Sequence, residues 1–183
     1  MTKNNSVSRS KSKSLYLAIA GVVAALYVVL TLPFAQFAFG PIQFRLAELL
    51  VVLPILFPAA IPGVTIGCFL SNLLNPGSLG PIDVIFGTLA TFLAAVSTRL
   101  IATKLETTRA VLKDILSLIP PVVWNALIVG TYLTFLLADT QVTGAMIVIN
   151  ILYIGASELV VVFFLGLPFL LFLRRLRVDR WQK

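Results

Sequence analysis

Eighteen consecutive residues from Leu15 to Leu32 carry no charge. As a helix, such a run approaches the roughly 20 residues needed to cross a hydrocarbon core of about 30 Å. It exceeds the apolar core of about 7 to 15 residues usual in a signal peptide, and no small-x-small cleavage site follows it. It reads as a retained first span. The rest of the chain repeats the theme: hydrophobic residues make up 59% of the sequence, charged residues 11%, and mean hydropathy is +1.03. A globule of 183 residues has too little interior to hide that much apolar surface. The expected class is therefore an all-α integral membrane protein of one domain.

Proline and glycine divide the remainder. Pro33 ends the first span and Phe34 to Pro41 form an uncharged loop. A short apolar helix runs from the Arg45/Glu48 turn to Leu56 and stops before Pro58; Ile61-Pro62-Gly63 starts a third element that reaches Asn72 and is broken by Asn75-Pro76-Gly77. These two elements are short for spans and read either as tilted crossings or as a re-entrant pair over 45–75. Pro81-Ile82-Asp83 opens a fourth span ending near Arg99, and Arg99 to Asp114 reads as a polar helical connector. The fifth span, Ile115 to Leu137, is expected to kink at Pro120-Pro121, and the sixth runs from Gly144 to Leu173. Six transmembrane helices over 15–176 are thus expected, between a flexible basic cytosolic tail (1–14) and a second basic cytosolic tail (177–183).

With both termini in the cytosol, every Lys and Arg except Arg45 falls on the cytosolic side, as the positive-inside rule requires. The net charge of +7 then reflects topology and not nucleic-acid binding. Histidine is absent, and the one cysteine, Cys68, sits in an apolar run as a small packing residue. That removes disulfides, imidazole acid/base chemistry and the usual soft-metal ligand sets. No catalytic residue, metal or cofactor is expected.

Arg45 is a basic group on the outer side that does nothing for orientation. On a helix it would share a face with Glu48, each partly neutralising the other. The same topology places Asn72, Asn75, Asp83 and Asn150 toward the outer leaflet, Trp124 and Asn125 near the middle of the fifth span with Tyr132 further out, and Glu158 near the midplane of the sixth. Ionisable groups at such depth face a polar cavity or a partner. Arg45, Glu48, Asn72, Asp83, Trp124, Asn125, Tyr132, Asn150 and Glu158 are accordingly expected to line a solute pocket open to the outside. Duller roles fit several of them: snorkelling for Arg45, an N-cap for Asp83, interhelical glue for Asn72 and Asn150, packing for Trp124 and Tyr132. Glu158 has no basic residue within a turn and is the hardest to dismiss. Acids, amides and an aromatic suit a flat, nitrogen-rich, neutral or cationic solute. No Walker motif is present, so ATP-driven uptake would need other subunits. In the first span, Ala20/Ala24 and Gly21/Ala25 form overlapping small-xxx-small pairs, which serve either internal packing or the docking of a partner.

The segments Ile42-Gln43-Phe44-Arg45-Leu46-Ala47-Glu48 with Val52-Leu53-Pro54, Pro58-Ala59-Ala60-Ile61-Pro62-Gly63 with Ile66-Gly67-Cys68, and Asp83 to Thr91 resemble the QueT-type queuosine-precursor substrate-binding subunits of energy-coupling factor transporters. The similarity runs from about Leu15 to Leu173. It implies a six-helix S component in the cell membrane that captures a 7-deazaguanine base such as queuine or its aminomethyl precursor. It also implies partners: a transmembrane coupling subunit, which Ala20, Gly21, Ala24 and Ala25 would dock, and two ATPase subunits. Alternatives from the residues themselves are an S component for another vitamin or cationic solute and a membrane-embedded transferase.

Overall fold

The computed structural model describes residues 3–35, 44–75, 79–105, 109–138 and 141–176, with side chains described from residue 13 onward. All regular structure among them is helical: α1 (Lys3–Thr31) with a 3₁₀ turn at its end (Leu32–Phe34), a longer 3₁₀ helix (Leu46–Ile55), α2 (Ala60–Leu74), α3 (Pro81–Lys104), α4 (Ala110–Ser117), α5 (Ile119–Leu137), α6 (Gly144–Leu159), a π-helical segment (Val160–Gly166) and α7 (Leu167–Arg175). Four stretches are long and apolar enough to cross a membrane: Lys13–Phe34, Pro81–Lys104, Ala110–Leu137 and Gly144–Arg175. Leu46–Ile55 and Ala60–Leu74 are shorter apolar helices. The six expected spans are therefore four long and two short elements.

Helix ends follow local chemistry and differ from expectation in places. Pro120 and Pro121 lie in the first turn of α5, where a missing N–H costs nothing, and the break between α4 and α5 falls just before them at Leu118 (φ −95°, ψ 0°). The polar connector is also shorter than expected, because α3 continues to Lys104 and α4 begins at Ala110. At the N-terminus α1 begins at Lys3 and so takes in most of the polar stretch assigned to a tail, while its membrane-length part begins at Lys13. The tail 177–183 lies outside the described residues. Gly80 precedes α3 at φ +90°, a backbone geometry open to glycine.

Close approaches fix the packing. A Cβ on Gly63 would lie 2.9 Å from the Ala20 carbonyl oxygen, and one on Gly67 2.9 Å from that of Ala24. The two glycines thus form a groove for α1, and the rising register (20 with 63, 24 with 67) makes α1 and α2 parallel. Gly130 meets Ile151 and Gly155 meets Ala126, so α5 and α6 are antiparallel. Gly166 of the π segment meets Val52 and Leu49 of the 3₁₀ helix. Buried aliphatic clusters fill the seams: Val23, Leu50, Leu53 and Val64 between α1, the 3₁₀ helix and α2, and Val51, Val52, Leu118, Val162 and Leu170 on its other side.

Candidate functional site

Polar side chains from α1, the 3₁₀ helix, α2, α3 and α5 converge between these seams into one hydrogen-bonded chain. At one end, Arg45 Nη2 meets Asp83 Oδ1 at 3.3 Å, and the Tyr132 hydroxyl donates to the same oxygen at 2.5 Å. Asn72 Nδ2 donates to the Asp83 carbonyl oxygen at 3.2 Å and approaches Cys68 Sγ at 3.7 Å. The Thr91 hydroxyl stands 3.3 Å from Cys68 Sγ and 3.1 Å from Glu48 Oε1, and the Tyr27 hydroxyl donates to that same Glu48 oxygen. A hydroxyl has one proton, so Thr91 donates to the carboxylate or to sulfur, not to both. Arg45, Glu48, Asn72, Asp83 and Glu158 are all at most 4% exposed.

The arrangement corrects the expected Arg45/Glu48 pairing. Arg45 precedes the 3₁₀ helix in extended conformation (φ −92°, ψ 97°), its carbonyl accepts the Glu48 N–H at 3.0 Å, and its guanidinium reaches Asp83 instead. Asp83, expected as an N-cap or pocket acid, is the counter-ion. Glu48 is left to neutral donors, chiefly the Tyr27 and Thr91 hydroxyls. Asn125, which donates to the Pro121 carbonyl at 3.2 Å, also neighbours the Glu48 carboxyl group. Glu158 lies within electrostatic range of both Glu48 and Arg45. Among the described residues, Glu48 Oε2, Asp83 Oδ2 and Glu158 Oε2 have no hydrogen-bond partner. Each leaves an acceptor facing a dry interior, a costly arrangement unless a donor fills it.

Seven of the nine expected pocket residues meet in this region, and two do not. Trp124 donates to Ser97 at 3.2 Å and lines an open apolar groove of about 540 Å³ with Ile101, Leu116 and Val123. Adjacent helix positions point about 100° apart, and here Asn125 is buried while Trp124 is only partly so. Asn150 donates to Thr134 at 2.9 Å, joining α6 to α5 as interhelical glue. Asn75 ends α2 in extended conformation and is buried.

Four contributors were not expected. Tyr27 is the aromatic on the inward stripe Ala20, Val23, Ala24, Tyr27 of α1, a spacing visible in the sequence. Thr91 and Cys68 are ordinary packing residues until helix pairing is known. Gly87 leaves room for the others: a Cβ there would lie 2.8 Å from Asn72 Nδ2, 3.4 Å from the Tyr132 hydroxyl and 3.5 Å from Arg45 Nη1. Of the small residues of α1, Ala20 and Ala24 are buried against α2, while Gly21 and Ala25 are exposed. The first pair is thus used internally, and only the second presents a surface.

A protein-family model for the QueT transporter matches residues 17–175. The queuosine precursor transporter QueT of Lactococcus lactis subsp. cremoris (strain MG1363) is 42% identical over 83 residues, covering 44% of this chain and 47% of that protein. The chain thus spans about half the length of the curated relative it matches. No solved structure matches.

Proposed function

We propose, from the premise that this chain belongs to the QueT transporter family, that it captures a queuosine precursor at the buried network around Glu48, Asp83 and Glu158. As a member of that family with four membrane-length helices, it is a multi-pass membrane transporter protein and not an enzyme. The solute is a 7-deazaguanine base such as queuine or its aminomethyl precursor, in line with the queuosine precursor for which the Lactococcus relative is named. One observation carries the site: three carboxyl groups of this one network, all buried to at least nine-tenths, each keep an oxygen without a hydrogen-bond partner among the described residues. A purine-like edge rich in N–H groups supplies the matching donors. Arg45, Asn72, Asn125 and Tyr132 hold the acids in place.

The chain acts as the substrate-capture (S) subunit of an energy-coupling factor importer, with a transmembrane coupling subunit and two ATPases as its engine. It spans the cell membrane as six helices with both termini in the cytosol. The distribution of Lys and Arg supports this topology, as does the parallel course of α1 and α2 with the 3₁₀ helix returning between them. The coupling subunit docks on the face of α1 that carries Gly21 and Ala25.

Calorimetry on the detergent-purified chain tests the proposal. Submicromolar binding of a 7-deazaguanine, with guanine and a panel of vitamins excluded, is the expected result. A folded protein that binds none of the deazaguanines would refute the solute.

A further inference from the structure

Counting charge along the network separates it into two unlike halves. Five charged side chains are buried among the described residues: Arg45, Glu48, Asp83, Asp114 and Glu158. Asp114 pairs with Arg174 at 2.7 Å at the far end of the bundle, and Asp83 pairs with Arg45 at 3.3 Å. Glu48 and Glu158 make no ion pair among the described residues; the nearest positive field is that of Arg45, which is already in contact with Asp83. The Asp83 half therefore holds an acid with its own cation, and the Glu48/Glu158 half holds two acids with none.

The donors present supply no cation. Tyr27 and Thr91 both address Glu48 Oε1, the Asn125 side chain beside the carboxyl group is neutral and already donates to the Pro121 carbonyl, and Glu48 Oε2 and Glu158 Oε2 have no hydrogen-bond partner among the described residues. Glu48 is wholly buried and Glu158 is 4% exposed. Two carboxyl groups within electrostatic range of one another, each with an open oxygen in a water-poor interior, call for a compact group that carries several N–H donors and a positive charge. A protonated amine has three donors and the right sign; a nitrile, carbonyl or methyl group has neither.

We infer that Glu48 and Glu158 form a two-carboxylate receptor for the protonated amine of the solute, so that the protein admits its deazaguanine as a monocation and rejects neutral analogues with the same ring. The inference rests on the transporter reading above and assigns the two ends of the site. The ring edge lies toward Asp83 and Asn72, and the amine lies toward Glu48 and Glu158. Because the Asp83 end is already paired with Arg45, reversing the solute would leave the carboxylate pair facing a neutral edge.

The test uses two probes that share a ring and differ in charge, 7-aminomethyl-7-deazaguanine and 7-cyano-7-deazaguanine, titrated into the full-length purified protein. In the wild type the amine should bind at least about tenfold more tightly than the nitrile. Glu158→Gln keeps side-chain volume while removing the charge, and it should shrink that ratio to less than about threefold. It should do so by weakening the amine several-fold more than the nitrile, with thermal unfolding confirming the fold. Glu48→Gln is the second variant and should shrink the ratio in the same way. Equal affinity for the two probes in the wild type, or a ratio that survives in both variants, overturns the receptor while leaving a deazaguanine transporter standing. Binding of neither probe by folded wild-type protein refutes the transporter reading, and the receptor with it.

Discussion

Gly67→Ala strikes the contact on which both the bundle and its polar network depend. A Cβ at position 67 would lie 2.5 Å from Cβ of Tyr27, 2.9 Å from the Ala24 carbonyl oxygen and 3.0 Å from Cγ of Tyr27. Carbon atoms in contact settle at about 3.5–4.0 Å. The atoms in the way are backbone or anchored directly to it, so no rotamer change relieves the clash, and α1 and α2 must part by about 1 Å at this level. Overpacking of this kind costs about 1–3 kcal/mol. Parting the helices also withdraws the Tyr27 hydroxyl from Glu48, and losing a hydrogen bond to a charged group costs about 1.5–3 kcal/mol more. For a chain of this size each kcal/mol moves the melting temperature by about 2–4 °C, so a fall of at least about 5 °C is expected for purified protein in detergent. Gly21→Ala is the control, since nothing lies within 4 Å of the added methyl; it should melt within about 2 °C of wild type. The hydrogen-bond share is separable, because Tyr27→Phe should cost less in the Gly67→Ala background than alone. A Gly67→Ala protein that melts with the wild type would show that α1 and α2 are not seated on this groove.

Two other substitutions probe the network itself. Arg45→Met leaves Asp83 as an uncompensated buried charge and should cost about 3–5 kcal/mol, whereas Arg45→Met combined with Asp83→Leu should cost less than the single change, since breaking a buried pair is worse than replacing it; additive losses on thermal unfolding would contradict the pairing. Gly87→Ala pushes Asn72 off the Asp83 carbonyl and fills space between Asn72, Tyr132 and Arg45. Solute affinity in calorimetry should fall by about tenfold or more while the melting temperature drops by no more than a few degrees, in keeping with about 1 kcal/mol for a neutral hydrogen bond; unchanged affinity would place the solute elsewhere.

Element boundaries were legible in the sequence because proline and glycine mark them whatever surrounds the helix. The breaks at Pro33, Pro58 and Asn75-Pro76-Gly77 foretell elements close to Leu46–Ile55 and Ala60–Leu74. Helical phase was not legible. In water an apolar stripe reveals the buried face, but lipid is as apolar as the bundle core, so Trp124 and Asn125 look equally fit to face inward. Only pairing with α3 shows that Asn125 is buried and that Trp124 looks outward to Ser97. Pair identity was hidden for the same reason. Arg45 and Glu48 are three residues apart, and a helical reading joins them; the extended backbone at Arg45 and the 38-residue separation of its actual partner Asp83 come only from the fold. Polar residue types at unusual depth were the readable signal, and Glu48, Asp83 and Glu158 carried it.

The 3₁₀ geometry of Leu46–Ile55 is long for its kind, and its anchors on α3 supply a reason. Arg45 is held by Asp83, Glu48 by Thr91, and the carbonyl oxygens of Pro54 and Ile55 accept from Arg99 Nη1 at 3.3 and 3.1 Å. Along α3 the anchors at 83, 91 and 99 span about 24 Å at the α-helical rise of about 1.5 Å per residue. The segment from 45 to 55 covers only about 15 Å as an α-helix but about 20 Å as a 3₁₀ helix, whose rise is about 2.0 Å per residue. The tighter winding brings both ends within reach of the two arginine side chains, each several ångströms long. Arg99 occupies the carbonyls that a helix end leaves open. Glu48 is thus fixed in depth by a segment stretched between two ion-bearing ends, and its free oxygen is set by the same register that pairs Arg45 with Asp83.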